Sequence, residues 1–326
     1  MSVVERLDGA QRRRRGLGFA IAVVYKFFDD SGSYLAALIA YYAFVSLFPL
    51  LLLATTILGW TLAGNPQLQH SILNSGLRDF PVIGAQLGDP NRIGGGVSGL
   101  VIGILGAAYG GLGVAQAFQY AMNTVWAVPR NNRPNPLKAR GRSLLLLATG
   151  GLGVIATSAL SAVGTSSALH LGPVSKVVTL FASVLLNTVV FTVGFRLATA
   201  VRLQLWQVLP GAASAAVAWQ LLQSFGVAYV THTVKHASTT NGVFAIVLGL
   251  LAFLYLSAVA VLLCVEINVV HSKQLHPRAL LTPFTDDVDL TPGDRRSYAG
   301  QAHAQRSKGF ETITVRFRRR TRNRAG

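Results

Sequence analysis

Glu266 sits inside an apolar run, Leu262-Leu263-Cys264-Val265-Glu266-Ile267-Asn268, where a carboxylate is costly to desolvate and is kept for pairing or for passage of an ion or substrate. His271 follows about one helical turn later, which places the group near the end of its apolar segment. Arg196 closes a second apolar segment, and Asn123 and Trp126 close a third. Two readings of Glu266 follow. One is an ion pair with Arg196 or an interfacial lysine that fixes helix packing, and the other is a station on a path for ions or substrate.

Polar groups early in the chain extend this set. Tyr42 and Ser46 are four apart and share one helix face, with Tyr41 on a neighbouring face. Pro49 follows, and its missing N–H and its ring open the hydrogen bonding of a helix locally. A polar stripe before such a break can expose carbonyls to a cavity, as in the broken helices of transporters. Taken singly, the tyrosines read as hydrogen-bond partners between helices, and so do Gln116, Gln119, Asn187, Gln220 and Gln223.

Other chemistry is poorly supplied. His232 and His236 have the i, i+4 spacing of two metal ligands, but no third ligand is near and Lys235 lies between them. They read as solvated, and neither a metal nor another cofactor is expected. Cys264 is the single cysteine, so one chain can build neither a disulfide nor a cysteine zinc site. Arginines cluster at the C-terminus around Phe317, yet a cationic arm beside an anionic lipid leaflet needs no RNA to explain it.

The elements that must position these residues are long apolar stretches. Residues 34–62, 97–128, 143–164, 174–195, 208–230 and 243–270 each approach or exceed the roughly 20 residues a helix needs to cross a bilayer. With 51% hydrophobic and 13% charged residues and a mean hydropathy of +0.46, the polar surface is too small to cover a soluble globule of 326 residues. The sequence therefore describes an all-α membrane protein, a bundle of six transmembrane helices. Arginine and lysine crowd the N-terminal arm and the second and fourth connections, whereas the third and fifth carry only Lys176 and Lys235. That bias puts both termini in the cytoplasm. The net charge of +17 then faces anionic headgroups rather than nucleic acid.

Outside the bundle at 33–271, two arms are expected. Residues 1–32 form a basic arm with a short interfacial helix over 17–28, too short to cross and without a cleavage pattern, whose Lys26, Asp29 and Asp30 face water. Residues 272–326, polar and turn-rich, read as a cytoplasmic tail that is mostly disordered. The first external connection contains Pro66, Pro81 and Pro90 and suits short interfacial helices. Gly99, Gly103, Gly106, Gly110 and Gly113 are spaced for close helix packing, with a substrate path as the alternative. Because odd spans start inside and even spans end inside, Tyr41, Tyr42, Ser46, Asn123, Glu266 and Asn268 fall at one depth. They are expected to line a cavity open to the cytoplasm, with Pro49 as its floor.

Four motifs in order carry a family resemblance: Tyr41-Tyr42-Ala43-Phe44-Val45-Ser46-Leu47-Phe48-Pro49-Leu50, Asn123-Thr124-Val125-Trp126 before the basic loop, Leu209-Pro210-Gly211, and Val265-Glu266-Ile267-Asn268. Over residues 29–271 the chain resembles the YihY/BrkB membrane proteins, a group once labelled ribonuclease BN. It departs at Asn241-Gly242, where the family often has a tyrosine before the glycine. The resemblance implies a six-helix inner-membrane protein often thought to transport. A nuclease is disfavoured, because metal-assisted phosphodiester hydrolysis needs convergent His and Asp ligands that the spans do not offer. The sequence thus points to a non-enzymatic, transporter-like bundle for a small solute, ion or lipid, with a membrane scaffold as the alternative. Its partners would be membrane lipids, and a homo-oligomer is compatible with it.

Cysteines placed singly and labelled from either side test the topology. Those near Gln69 and Lys235 should react from outside and those near Arg133 and Arg295 from inside, and one reversed loop defeats the six-span arrangement.

Overall fold

A computed structural model of the chain describes residues 8, 9, 11, 14–61, 96–165, 173–236, 239–282, 285 and 288–317. Among the described residues the backbone forms eight α-helices and no strand, the economical way to satisfy peptide groups that hydrocarbon cannot hydrate. They are α1 (Arg15–Asp29), α2 (Gly32–Thr61), α3 (Gly96–Val125), α4 (Pro136–Thr165), α5 (Pro173–Ala198), α6 (Leu205–His236), α7 (Thr239–Lys273) and α8 (Pro292–Ala304), with a 3-10 turn at Arg130–Asn132. The first external connection, the side chains of Asn241, His232 and His236, and residues 318–326 lie outside the described residues.

Local chemistry sets the helix ends. Pro136 opens α4, and the Asn135 side chain accepts the Lys138 N–H at 3.0 Å as an N-cap. At their C-termini α3 and α7 each give way to one left-handed residue, Ala127 (φ 50°) and Gln274 (φ 51°). The next N–H then reaches back over the last turn, Val128 to the Asn123 carbonyl at 2.8 Å and Leu275 to the Val270 carbonyl at 3.1 Å.

Among the described residues four helical stretches are long and apolar enough to cross a membrane: Val101–Val125, Pro136–Leu160, Val177–Ala198 and Val247–Lys273. The chain is a multi-pass membrane protein. Helices α2 and α6, of 30 and 32 residues, pack with these four, although the side chains of their distal parts lie outside the described residues. Consecutive helices from α2 to α7 touch in order and α7 returns to α2, which closes a ring of six. On its outside, large apolar side chains such as Leu152, Phe181 and Leu185 are about two-thirds exposed or more (67%, 72% and 68%), a surface that only lipid covers favourably.

The contact of α2 with α3 is built on glycine. A Cβ placed on Gly106, Gly110 or Gly113 would overlap Pro49, Ser46 or Tyr42 respectively. The glycine stripe is a packing device here. It lets two backbones approach where hydrophobic burial no longer drives association.

Two expectations about the arms need correction. Lys26 and Asp30 do not face water: they are 2% and 6% exposed. Nor is the tail mostly disordered, because residues 275–282 and α8 fold back onto α1 and the ends of α3 and α7. Thr291 and Asp294 form a reciprocal capping box that starts α8. In composition such a segment looks like turn and linker, because capping residues and linker residues are the same types. Helix α1 itself packs inward through Ala22, Val23 and Phe27 and exposes Leu17, Val24 and Phe28 along its other side.

Gly110→Ala should lower stability by about 1–3 kcal/mol through overpacking, read as a thermal melt in detergent. Gly141→Ala, whose added methyl meets nothing within 4 Å, should raise it or leave it unchanged, because alanine favours the helix.

Candidate functional site

The described charges converge at one end of the ring, where α1, the ends of α3 and α7, and α8 meet. Lys26 projects from α1 into this junction. Its ammonium donates to Asp30 four residues on and to the Val125 carbonyl at 3.2 Å, and it lies 3.9 Å from the Glu266 carboxylate on α7. Glu266 is fully buried, and among the described residues neither of its oxygens has a hydrogen-bond donor. Asp30 is held from the other side by Gln301 of α8 at 3.1 Å. Burial alone would depress the Lys26 pKa, but the carboxylates of Glu266, Asp30 and Asp29 outweigh it and hold the pKa above the ordinary lysine value of 10.5.

The lysines also finish a helix. Lys26 takes the Val125 carbonyl and Lys273 takes the Trp126 carbonyl. These oxygens lie at the C-terminus of α3, where carbonyls lack intrahelical partners and the helix dipole favours cations. The Lys273 ammonium also stands 6.0 Å from the centre of the buried Trp126 ring.

A second clasp lies beside the first. Arg278 is completely buried and binds Asp29 at 2.9 Å and Asp294 of α8, with its guanidinium 5.3 Å from the centre of the Tyr298 ring. Asp294 also accepts from the Ala279 and Thr291 N–H groups at 3.1 and 2.9 Å. Its carboxylate thus serves the Arg278 pair and the α8 cap together. Burial pushes the Asp29 pKa up, and Arg278 offsets part of that.

Of the residues singled out from sequence, Ser46, Gln119, Asn123, Trp126, Glu266 and Asn268 are buried. The two asparagines act as joints. The Asn123 side chain accepts the Ala200 N–H at 2.8 Å and donates to the Gln119 carbonyl at 2.7 Å, which ties the exit of α5 to α3. Asn268 accepts the Gly211 N–H at 2.6 Å, and a Cβ on Gly211 would strike the Cys264 carbonyl. The Leu209-Pro210-Gly211 and Val265-Glu266-Ile267-Asn268 motifs are therefore two halves of one contact.

Arg196 is not the partner of Glu266. It is exposed and donates to the Leu203 carbonyl at 3.1 Å, and the cation at Glu266 is Lys26. Tyr41 is 58% exposed, whereas Tyr42, Ser46 and Pro49 face the glycines of α3. The sequence reading offered an interfacial lysine as one partner of Glu266 but set Lys26 and Asp30 in water, and it passed over Arg278, Asp294 and Lys273. The i, i+4 spacing of Lys26 and Asp30 and the Thr291-x-x-Asp294 pattern were the signals available for them.

Within the ring lies a cleft of about 480 Å³ to which every helix from α2 to α7 contributes, through residues such as Ile39, Val114, Leu146, Phe191, Trp219 and Leu254. Among the described residues that line it none is charged. Its Thr149 and Ser257 hydroxyls donate to carbonyls of their own helices, Leu145 at 2.8 Å and Phe253 at 2.7 Å. The wall is therefore almost wholly apolar. None of the six residues expected to line a cavity belongs to it. Among the described residues no group of His, Cys, Asp and Glu is placed to hold a metal ion.

Removing the buried ammonium leaves two uncompensated carboxylates. Lys26→Met should cost about 3–5 kcal/mol in a detergent melt, and the triple variant Lys26→Met, Asp30→Asn, Glu266→Gln should cost less. Equal losses would mean that the three groups are not coupled. Because the Lys26 pKa is raised, its stabilisation is full below 10.5 and is lost as pH rises through the folded value. The gap between wild type and Lys26→Met should hold from neutral pH to about pH 10 and close above that.

No curated protein and no solved structure gives a match. The model of the family described as Virulence factor BrkB matches residues 23–286, which takes in Lys26, the whole ring and Arg278, and the chain belongs to that family.

Proposed function

We propose that this BrkB-family protein is a transporter-like bundle of the bacterial cytoplasmic membrane whose cargo carries a hydrocarbon chain, a lipid or a comparably apolar molecule. The observation behind this reading is the cleft at the centre of the ring. An ion crossing the bundle would need carbonyls, carboxylates or water along its path, and a wall with satisfied hydroxyls and no charge offers none. An acyl chain needs only room and apolar contact, at roughly 25 cal/mol per Å² of surface buried. Six spans with both termini in the cytoplasm suit this reading. They put the charged junction and α8 on the side where basic residues accumulate and let the exposed side of α1 rest on the bilayer surface. The activity is non-enzymatic.

Liposomes containing only this protein, with a tail-labelled fluorescent phospholipid, test the proposal. Label protected from an external quencher should become accessible faster than in empty liposomes, by about tenfold or more, a barrier change of about 1.4 kcal/mol. Gly194→Trp fills the cleft from α5, at a position where an added Cβ meets nothing within 4 Å, and should return the rate to that of empty liposomes. Wild-type rates no faster than empty liposomes would favour the non-transporting scaffold.

A further inference from the structure

A second cavity, of about 870 Å³, lies at the charged end of the molecule and shares no lining residue with the central cleft. It is walled by the end of α1, the first turns of α2, the last turns of α3, the Arg130–Asn132 turn with Arg133, and one side of α8. Its size is within the range of small-molecule sites, about 300–1,000 Å³.

The charges of its wall are unevenly committed. Asp29 is held by Arg278, and Asp30 by Lys26 and Gln301, so neither carboxylate is left to attract a cation. Arg130 and Arg133 form no ion pair among the described residues. Arg133 is fixed in place, with its Nε donating to the Val128 carbonyl at 3.3 Å and its guanidinium 5.4 Å from the centre of the Tyr120 ring. Arg130 is exposed. The wall therefore presents two unpaired guanidiniums to whatever enters, and guanidiniums favour the oxygens of phosphate.

The α2 part of the rim is apolar and exposed. Tyr34 is 77% exposed and Leu38 lies beside it, on the first turns of α2. Tyr120 and Thr124 stand in the last turns of the candidate span Val101–Val125, so the cavity is at the depth where hydrocarbon gives way to headgroups. Tyrosine is the residue that tolerates both environments.

We infer that this cavity binds the phosphate-bearing headgroup of an anionic glycerophospholipid, with the phosphate at Arg130 and Arg133 and the acyl chains leaving past Tyr34 and Leu38. Such a lipid would bridge α1, α2, α3 and α8 and couple the folded C-terminal segment to the charge of the membrane surface. The site is independent of the transport reading, because the cleft can be blocked without touching it.

The test uses the full chain in an uncharged detergent, with melting temperature followed during titration with dihexanoylphosphatidylglycerol, dihexanoylphosphatidylcholine or inorganic phosphate. Phosphatidylglycerol should raise the melting temperature saturably. Arg130→Gln, whose exposed side chain makes no ion pair, should melt like wild type without lipid and need several-fold more lipid for the same rise. Arg130→Gln with Arg133→Gln should need about tenfold more or beyond, as expected for loss of charge-assisted hydrogen bonds. Three results overturn the inference. They are titration of both variants as wild type, equal saturation by phosphatidylcholine, which would make the site indifferent to headgroup charge, and equal saturation by inorganic phosphate, which would make the ligand a free anion.

Discussion

A lysine ammonium buried between two carboxylates governs the assembly of this protein. Lys26 is 2% exposed, and a charge withdrawn from water to that degree is tolerable only when opposite charges and hydrogen-bond acceptors surround it. Its acceptors come from the end of α1 and from α3, and its second counter-charge from α7. Parts of the chain far apart in sequence must therefore arrive together before the charge is compensated. Any arrangement that separated α1 from the end of α7 would leave Glu266 buried without a cation.

The ends of the long helices are completed by the same means. Carbonyls at the end of α3 have no partners of their own, and the two lysines that accept this role are also held by, or close to, the carboxylate cluster. The Arg278 clasp repeats the pattern one layer out, with Asp294 at once the counter-charge and the cap of α8. Each acid in this layer holds a neighbouring segment as well as a charge. The layer is consequently a folded part of the protein, and the cavity beneath Arg130 and Arg133 exists because α8 supplies one of its sides.

Among the described residues burial is concentrated at one end. The described buried core gathers α1, the start of α2 and the ends of α3, α5 and α7 at the charged end. Helices α4 and α5 turn most of their apolar side chains outward. The family motifs lie largely at fixed points of the ring: Tyr42 and Ser46 against the α3 glycines, Asn123 against the exit of α5, and Gly211 against Asn268.

By itself the sequence determined the class of the protein and its helices. Long apolar runs act through local transfer energy and are additive along the chain, so they are legible without any partner. Spacing likewise revealed the glycine stripe and picked out Asn123, Glu266 and Asn268 as polar groups that must be buried to some purpose. Which groups would meet was decided by tertiary structure alone. Glu266 was equally ready for any cation at its depth, and only the docking of α1 brought Lys26 there and left Arg196 at the surface. The same docking turned an apparently solvated arm and an apparently linker-like tail into one layer. A charge is buried or hydrated according to what packs against it, and that contact is made by residues more than two hundred positions away.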